Sequence, residues 1–199
     1  TAKTITELVD LPYLTEFGNY PSGWNDENMS TVTSGHIQSS VLTPTGTDSA
    51  MLMTPKMGMV TESMYLAFDY SIISGSMTYG DTILVEISTD CGLSWETLHT
   101  ITNESNVVGN DEWVNVLLAM NAYEGQDVIV KFTATKENTG SYQFALDKFA
   151  LYTPDVDILS IMDTYEGICG EAGDSLLIVL ENQGYQAVSD VPVKVEVTH

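Results

Sequence analysis

The sequence EWVNVLLAMNAYEGQDVIVKFTATKENTGSYQFALDKFALY, residues 112–152, contains three consecutive β-strand patterns. In the last of them, strand alternation assigns one face to Ala145, Asp147, Phe149 and Leu151. We therefore predict that Asp147 points inward among apolar neighbours. A buried carboxylate needs a cation or several hydrogen-bond donors, so its predicted partners are backbone amides or a metal ion.

Similar strand patterns fill the chain before this stretch. Alternation in MYLAFDY predicts one apolar face made of Met64, Leu66, Phe68 and Tyr70. In TILVEIS, Ile83, Val85 and Ile87 share a face, and the turn TDCG joins this strand to WETLHTI as a hairpin. The irregularly spaced methionines, Met51, Met53, Met57 and Met59, are predicted to fill gaps in the core.

Many short strands with Gly/Pro-rich turns are typical of a two-sheet sandwich. We predict an all-β jelly-roll of the galactose-binding or concanavalin-like kind over residues 1–153. A helical turn near Met120 to Tyr123 is the single competing pattern. Strands are expected around Ile5 to Val9 and from His36 to Leu42 as well.

Pro154 marks a predicted boundary, and residues 154–199 contain three further strand patterns, VDILSIM, SLLIVLENQGY and VPVKVEV. An immunoglobulin-like sandwich needs about seven strands. This tail is therefore predicted to be a short, partial Ig-like β-segment, either the start of a second domain or strands that pack back onto the first.

The charge balance excludes several partners. Six Lys+Arg residues against 28 Asp+Glu residues give a net charge of −22, which repels phosphate backbones and anionic membrane surfaces. Nucleic-acid binding is excluded on this ground, and no apolar run is long enough to insert into a membrane. The acid excess predicts either a solubilising surface or neutralisation by divalent cations.

The sequence contains no recognised catalytic motif, and its two cysteines, Cys91 and Cys169, lack metal-binding spacing. These cysteines either pair with each other, pair with other partners or stay free. The histidines His36 and His99 lie far apart and are predicted to be surface or sheet residues. We expect a protein that is not an enzyme.

Aromatic residues in loops are the candidate ligand-binding groups: Trp24, Trp95, Trp113, Tyr79 and Tyr123. For Trp24 the alternative is a lid over the core edge, and for Trp95 and Trp113 it is a place in the core or at a sheet edge. The run from Asn25 to Asn28 includes Asp26 and Glu27 and is either a solvated turn or a source of calcium ligands.

The order of the elements resembles a known family. The succession LPYLTEFGNYPSGW, LAFDYSI, VEISTDCGLSWETL, EWVNVLLAMNAYEGQDVIVKF and YQFALDKFALY is similar to jelly-roll modules of Bacteroidetes surface proteins, the MAM-like, cleaved-adhesin and "choice-of-anchor J" group. The tail, with its ENQG turn, resembles the start of a CARDB-like or other Ig-like domain.

The resemblance implies export, usually by the type IX route, and a role in adhesion or in binding carbohydrate or protein. It also implies calcium held by a first-strand glutamate and by paired aspartates in the last strand. Here the acid is Glu16, which precedes Phe17 instead of following it, and Asp147 is followed by Lys148. The candidate metal ligands are therefore Asp147, Glu16, Asp26 and Glu27.

From these observations we predict a secreted or cell-surface, non-catalytic binding module that recognises a glycan or a host or cell-surface protein. We expect it to be a monomeric module of a larger chain. The alternative is a structural spacer linked to a secreted peptidase or glycoside hydrolase.

Overall fold

The computed structural model describes residues 8–31, 35–106, 111–154, 156–163 and 176–182, the last two ranges as strand backbone. The chain divides into two compact units, Thr1–Tyr152 and Thr153–His199.

The first unit consists of short strands: β1 (Leu8–Val9), β2 (Tyr13–Thr15), β3 (Asn25–Glu27), β4 (Met29–Thr31), β5 (Ile37–Ser39), β6 (Ser49–Met53), β7 (Lys56–Met59), β8 (Tyr65–Gly75), β9 (Thr82–Ser88), β10 (Glu96–Thr102), β11 (Val114–Ala119), β12 (Asp127–Thr135) and β13 (Tyr142–Tyr152). A single-turn 3₁₀ helix, Asn121–Tyr123, lies between β11 and β12. It occupies the segment in which the sequence predicts a helical turn.

These strands form two sheets. In the seven-stranded sheet, β12 pairs with β9 along one edge and with β6 and β7 along the other; β10, β3 and β1 continue outward from β9, β6 and β7. In the six-stranded sheet, the order is β11-β8-β13-β5-β4, and β2 also pairs with β13. The first unit is an all-β, two-sheet sandwich, and this confirms the predicted fold class.

The core lies between the sheets and contains the predicted apolar faces. Met64, Leu66, Phe68 and Tyr70 from β8 and the turn before it are buried, as are Ile83, Val85 and Ile87 from β9. Burying large apolar side chains of this kind supplies most of the driving force for folding.

The methionine prediction is correct for Met57, which is fully buried, and wrong for Met59, which is 58% exposed. Met59 pairs with Asp127 and Met57 with Val128, so a register shift separates the two methionines. That irregularity turns Met59 out of the core although it lies two residues after Met57.

The prediction that Asp147 points inward is wrong, because β13 contains a bulge. Its pairing with β8 shifts between Asp147 and Ala150, and Lys148 has a φ of 48°. Phe144 is buried before the bulge and Phe149 after it, although the two are five residues apart. Because of the extra residue, Phe149 faces the core although Asp147, two residues earlier, lies on the outer face of the six-stranded sheet.

In the second unit, β14 (Val156–Asp163) pairs antiparallel with β15 (Leu176–Asn182). Two of its predicted strands are thus present. The third predicted strand, residues 191–197, and Cys169 lie outside the described residues. An Ig-like identity for this unit stays a prediction, as does the pairing of the cysteines.

Within the part of the chain that the structure describes, no helix has the length and apolar character needed to cross a membrane.

Candidate functional site

A cleft of about 230 Å³ opens where the β9–β10 hairpin meets the 3₁₀ helix. Its walls come from the end of β9, the hairpin turn, the start of β10 and the segment between β11 and β12. The lining residues are Ile87, Ser88, Thr89, Ser94, Trp95, Glu96, Ala122, Tyr123 and Gln126. Two of the predicted ligand-binding aromatics, Trp95 and Tyr123, therefore share one cleft.

The hairpin turn is held in one conformation by its own side chains. The Asp90 carboxylate accepts hydrogen bonds from the Ser94 amide at 2.8 Å and from the Ser94 hydroxyl at 2.6 Å. The Ser88 hydroxyl donates to Asp90 at 2.8 Å and accepts from the Gly92 amide at 2.8 Å. The hydrogen bonds that Asp90 accepts, chiefly those from Ser94, lower the pKa of Asp90 to about 2, so it stays ionised near neutral pH. The turn is pre-organised next to Trp95.

Trp95 lies between a lysine of β12 and the hairpin turn. The Lys131 ammonium lies 4.1 Å from the centre of the indole ring, a cation–π contact, and the same ammonium pairs with Glu86 at 2.8 Å. Gly92 of the turn lies beside the ring, since a Cβ added at Gly92 would lie 3.5 Å from the indole. Trp95 nevertheless remains partly exposed toward the cleft that it lines.

Tyr123 forms the opposite wall and is largely buried. Burial, followed by a hydrogen bond to the Glu96 carboxylate, raises the pKa of Tyr123 to about 12. The phenol is thus a neutral donor to Glu96 at physiological pH. This bond connects the 3₁₀ helix to the start of β10.

The arrangement suits a polar ring with one apolar face. The partly exposed indole of Trp95 offers the apolar surface, whereas the carboxylate, the hydroxyls and the amide of Gln126 offer hydrogen bonds. The cleft is smaller than the roughly 300–1,000 Å³ typical of sites for drug-sized ligands. It has room for about one ring of an extended ligand.

Trp24 does not belong to this cleft, and the prediction of a sugar-stacking role for it is wrong. Its indole is 3% exposed, packs edge-on against Phe17 and Phe149, and donates a hydrogen bond to the Tyr13 hydroxyl at 2.9 Å. The ring faces are occupied by core neighbours. Trp24 therefore closes the core edge, which is the alternative that the sequence offered.

The two remaining aromatics lie elsewhere. Tyr79 is 80% exposed and lies beside a second cleft at the start of β9. At the usual rise per residue, the length of β9 separates this cleft from the end of the strand near Trp95 by about 20 Å. Trp113 is 41% exposed next to β11, in the other sheet, with its ring 5.4 Å from that of His36. The five aromatics do not form one common platform.

The predicted metal ligands are also divided between the sheets. Glu16 and Asp147 lie at the six-stranded sheet, where the Lys148 amide donates to Asp147 at 2.8 Å; this is the backbone partner that the sequence predicted. Asp26 and Glu27 belong to β3 in the other sheet, and Asp26 accepts a hydrogen bond from Tyr20 at 2.5 Å.

Among residues 8–154, within the parts described, no three His, Cys, Asp or Glu side chains come together as a group that could hold a metal ion. Calcium binding by this chain stays a prediction.

Sequence reasoning missed the cleft residues Glu96 and Ser94, and it missed Lys131, which contacts Trp95. The spacing of Ser88, Asp90 and Ser94 around a Cys-Gly turn is a detectable signal, because Asp and Ser side chains commonly bond to amides of their own turn. The contact of Lys131 with Trp95 depends on the pairing of β12 with β9. No local pattern reveals that pairing.

No protein-family model matches the sequence, and no curated protein matches it. Solved structures match the fold. One is from a study of promiscuous specificity in carbohydrate-binding modules of the β-sandwich superfamily, with a TM-score of 0.50 and 13% identity over 72% of this chain. The match spans only 62% of that chain.

Two further matches are adhesin domains of Lys-gingipain from Porphyromonas gingivalis W83. The K3 cleaved adhesin domain has a TM-score of 0.50 and 12% identity, covering 71% of this chain and 98% of that one. The K1 domain has a TM-score of 0.49 and 13% identity, covering 71% and 97%. At such identities the likeness establishes the fold, a β-sandwich module shared with carbohydrate-binding modules and adhesin domains.

Proposed function

We propose that this chain is a non-catalytic glycan-binding module and that the Trp95–Tyr123 cleft is its binding site. The observation that carries the proposal is the cleft itself, in which the partly exposed indole of Trp95 lies beside hydroxyl, amide and carboxylate groups. Proteins recognise sugars through this combination, because a sugar ring has an apolar face and a hydroxyl-rich edge.

The fold supports the same class of function. Two structural neighbours with a TM-score of 0.50 are named as a carbohydrate-binding module and a cleaved adhesin domain, and neither name describes a catalyst. We also propose that the chain belongs to the MAM-like, cleaved-adhesin and "choice-of-anchor J" group of exported Bacteroidetes modules. The support for this group is the order of the five sequence segments that resemble it.

A glycan array tests the proposal. The full chain and its Trp95→Ala variant are compared, with Trp113→Ala as the matched control, because Trp113 is partly exposed but lies in the other sheet. We expect Trp95→Ala to weaken binding at least about tenfold, since truncating a central aromatic anchor typically costs about 2 kcal/mol or more. Trp113→Ala should bind like the parent.

Two other outcomes carry information. Equal losses in both variants, or none in Trp95→Ala, would move the site away from this cleft. If no glycan binds the parent, recognition of a host protein or a spacer role becomes the better explanation. Running each array with millimolar calcium and with a chelator also tests the calcium prediction.

A further inference from the structure

The charges around the Trp95–Tyr123 cleft restrict which glycans it can accept. Glu96 lines the cleft, and Asp90 lies in the turn that borders it, held by uncharged serine and amide donors. Glu124, exposed, directly follows Tyr123. The rim of the cleft is therefore anionic.

The lysines within the described ranges between residues 8 and 154 are already paired. Lys131 binds Glu86 at 2.8 Å and lies over the Trp95 ring, and Lys56 pairs with Asp127 at 2.7 Å. The other lysines within the described ranges between residues 8 and 154, Lys136 and Lys148, pair with Asp81 and Asp69. The sequence has no arginine. A bound acidic sugar would thus find no uncommitted cation in the described part of the cleft.

We propose that the cleft selects glycans without acidic groups and that Glu96 is the residue that excludes sialylated, uronate-bearing and sulfated sugars. The inference rests on the proposed function, because it assumes that a glycan occupies this cleft. Glu96 is suited to the role since it both accepts the Tyr123 hydrogen bond and borders the space that a ligand would fill. A neutral sugar can donate hydroxyl hydrogen bonds to it, whereas a ligand carboxylate meets a like charge.

The size of the effect follows from Coulomb's law. Two like charges about 5 Å apart repel enough to weaken binding about fourfold in bulk water and several hundredfold at the effective dielectric constant of a protein surface. We expect at least about tenfold discrimination in 50 mM salt. Because the Debye length is about 8 Å at physiological salt and about 3 Å at 1 M, the discrimination should shrink as salt is added.

The experiment compares the full chain with Glu96→Gln on immobilised glycans printed as matched pairs, each neutral core beside its sialylated, uronate-bearing or sulfated form. Glutamine keeps an acceptor for Tyr123 and removes the charge. Glu104→Gln is the control, since it makes the same charge change beside the distant Tyr79 cleft. The parent and the control should prefer the neutral member of each glycan pair. This preference should be severalfold smaller in Glu96→Gln.

The outcomes separate this inference from the proposed function. Binding that depends on Trp95 but favours the acidic member of a pair would overturn the inference and leave the glycan site in place. A neutral preference that Glu96→Gln or 1 M salt does not reduce would also overturn it, because the exclusion would then be steric. If Trp95→Ala changes no binding, the proposed site and the inference fail together.

Discussion

Replacing Lys136 with methionine should destabilise the first unit more than any other loss of a lysine in its described part. The Lys136 and Asp81 side chains are fully buried and their charged atoms lie 2.6 Å apart. Lys136 also donates to the Thr78 hydroxyl at 2.8 Å. Methionine preserves much of the volume but leaves the Asp81 carboxylate buried without a counter-ion.

The expected magnitude follows from what Asp81 keeps. Breaking a buried ion pair by removing one partner typically costs 3–5 kcal/mol. Asp81 still accepts hydrogen bonds from the Thr78 amide at 2.6 Å and the Glu137 amide at 3.0 Å. We therefore expect a loss near the lower end, about 3 kcal/mol. With a urea dependence of about 1–3 kcal/mol per molar, the unfolding midpoint falls by about 1–3 M.

Tryptophan fluorescence during urea unfolding is a suitable assay, because all three tryptophans, Trp24, Trp95 and Trp113, lie in the first unit. The control is Lys56→Met, which removes a partly exposed ion pair and should leave the midpoint almost unchanged. The reasoning is refuted if Lys136→Met lowers the midpoint no more than Lys56→Met. Should Lys136→Met fail to fold, the double variant with Asp81→Asn, which removes both charges, should recover a measurable transition.

The same pair predicts an acid dependence. Burial alone would raise the pKa of Asp81, but hydrogen bonds from Lys136, Thr78 and Glu137 outweigh it and lower that pKa below its usual value. A carboxyl whose folded-state pKa is lowered stabilises the fold above its unfolded pKa and loses this contribution as the pH falls through the folded value. The free energy of unfolding of Asp81→Asn should therefore lack the part of the acid dependence that Asp81 contributes in the parent.

Three other substitutions give separate tests. Trp24→Ala should cost about 3–5 kcal/mol in urea unfolding, because the indole is buried among aromatic rings, and a loss below about 1 kcal/mol would contradict its place in the core. Asp90→Ala should speed hydrogen exchange of the Ser94 amide at neutral pH, because the amide loses its acceptor. In the parent protein the Ser94 amide should lose its protection from exchange only as the pH approaches about 2. An unchanged exchange rate in the variant would exclude the carboxylate as the anchor of the turn. Lys148→Met should lower the free energy of unfolding by about 1 kcal/mol at pH 7. This loss should shrink as the pH falls, because burial already raises the pKa of Asp147 and removal of the ammonium raises it further. A loss that grows in acid would show the opposite linkage.

The fold was predictable because most strands alternate regularly. The apolar faces of β8 and β9 could be identified from MYLAFDY and TILVEIS, and the TDCG turn indicated the β9–β10 hairpin. Alternation failed at Asp147, and the prediction that Met59 fills a gap in the core failed too, because at each place an extra residue shifts the register and reverses the faces beyond it. A positive φ at a lysine has no sequence signal.

The candidate site was predictable only in part. Aromatic residues in loops are easily noticed, but Trp24, Trp95 and Trp113 look alike in sequence although their exposures differ widely. What separates them is the pairing of distant strands. Lys131 reaches Trp95 because β12 pairs with β9. Trp24 directly precedes β3 of the seven-stranded sheet, yet its ring contacts Phe149 of β13 in the six-stranded sheet. Non-local contacts of this kind are set by the tertiary fold.

The placement of the lysines has a consequence for digestion by trypsin-like proteases, which cleave after lysine and arginine. Lys56, Lys131 and Lys148 lie within β7, β12 and β13, and buried Lys136 follows β12 directly. A protease needs an extended, accessible segment, so cutting at these positions requires paired strands to open. Cleavage at these four lysines should therefore follow the population of unfolded molecules and not the motion of surface loops, which would make trypsin a reporter of global stability for the first unit.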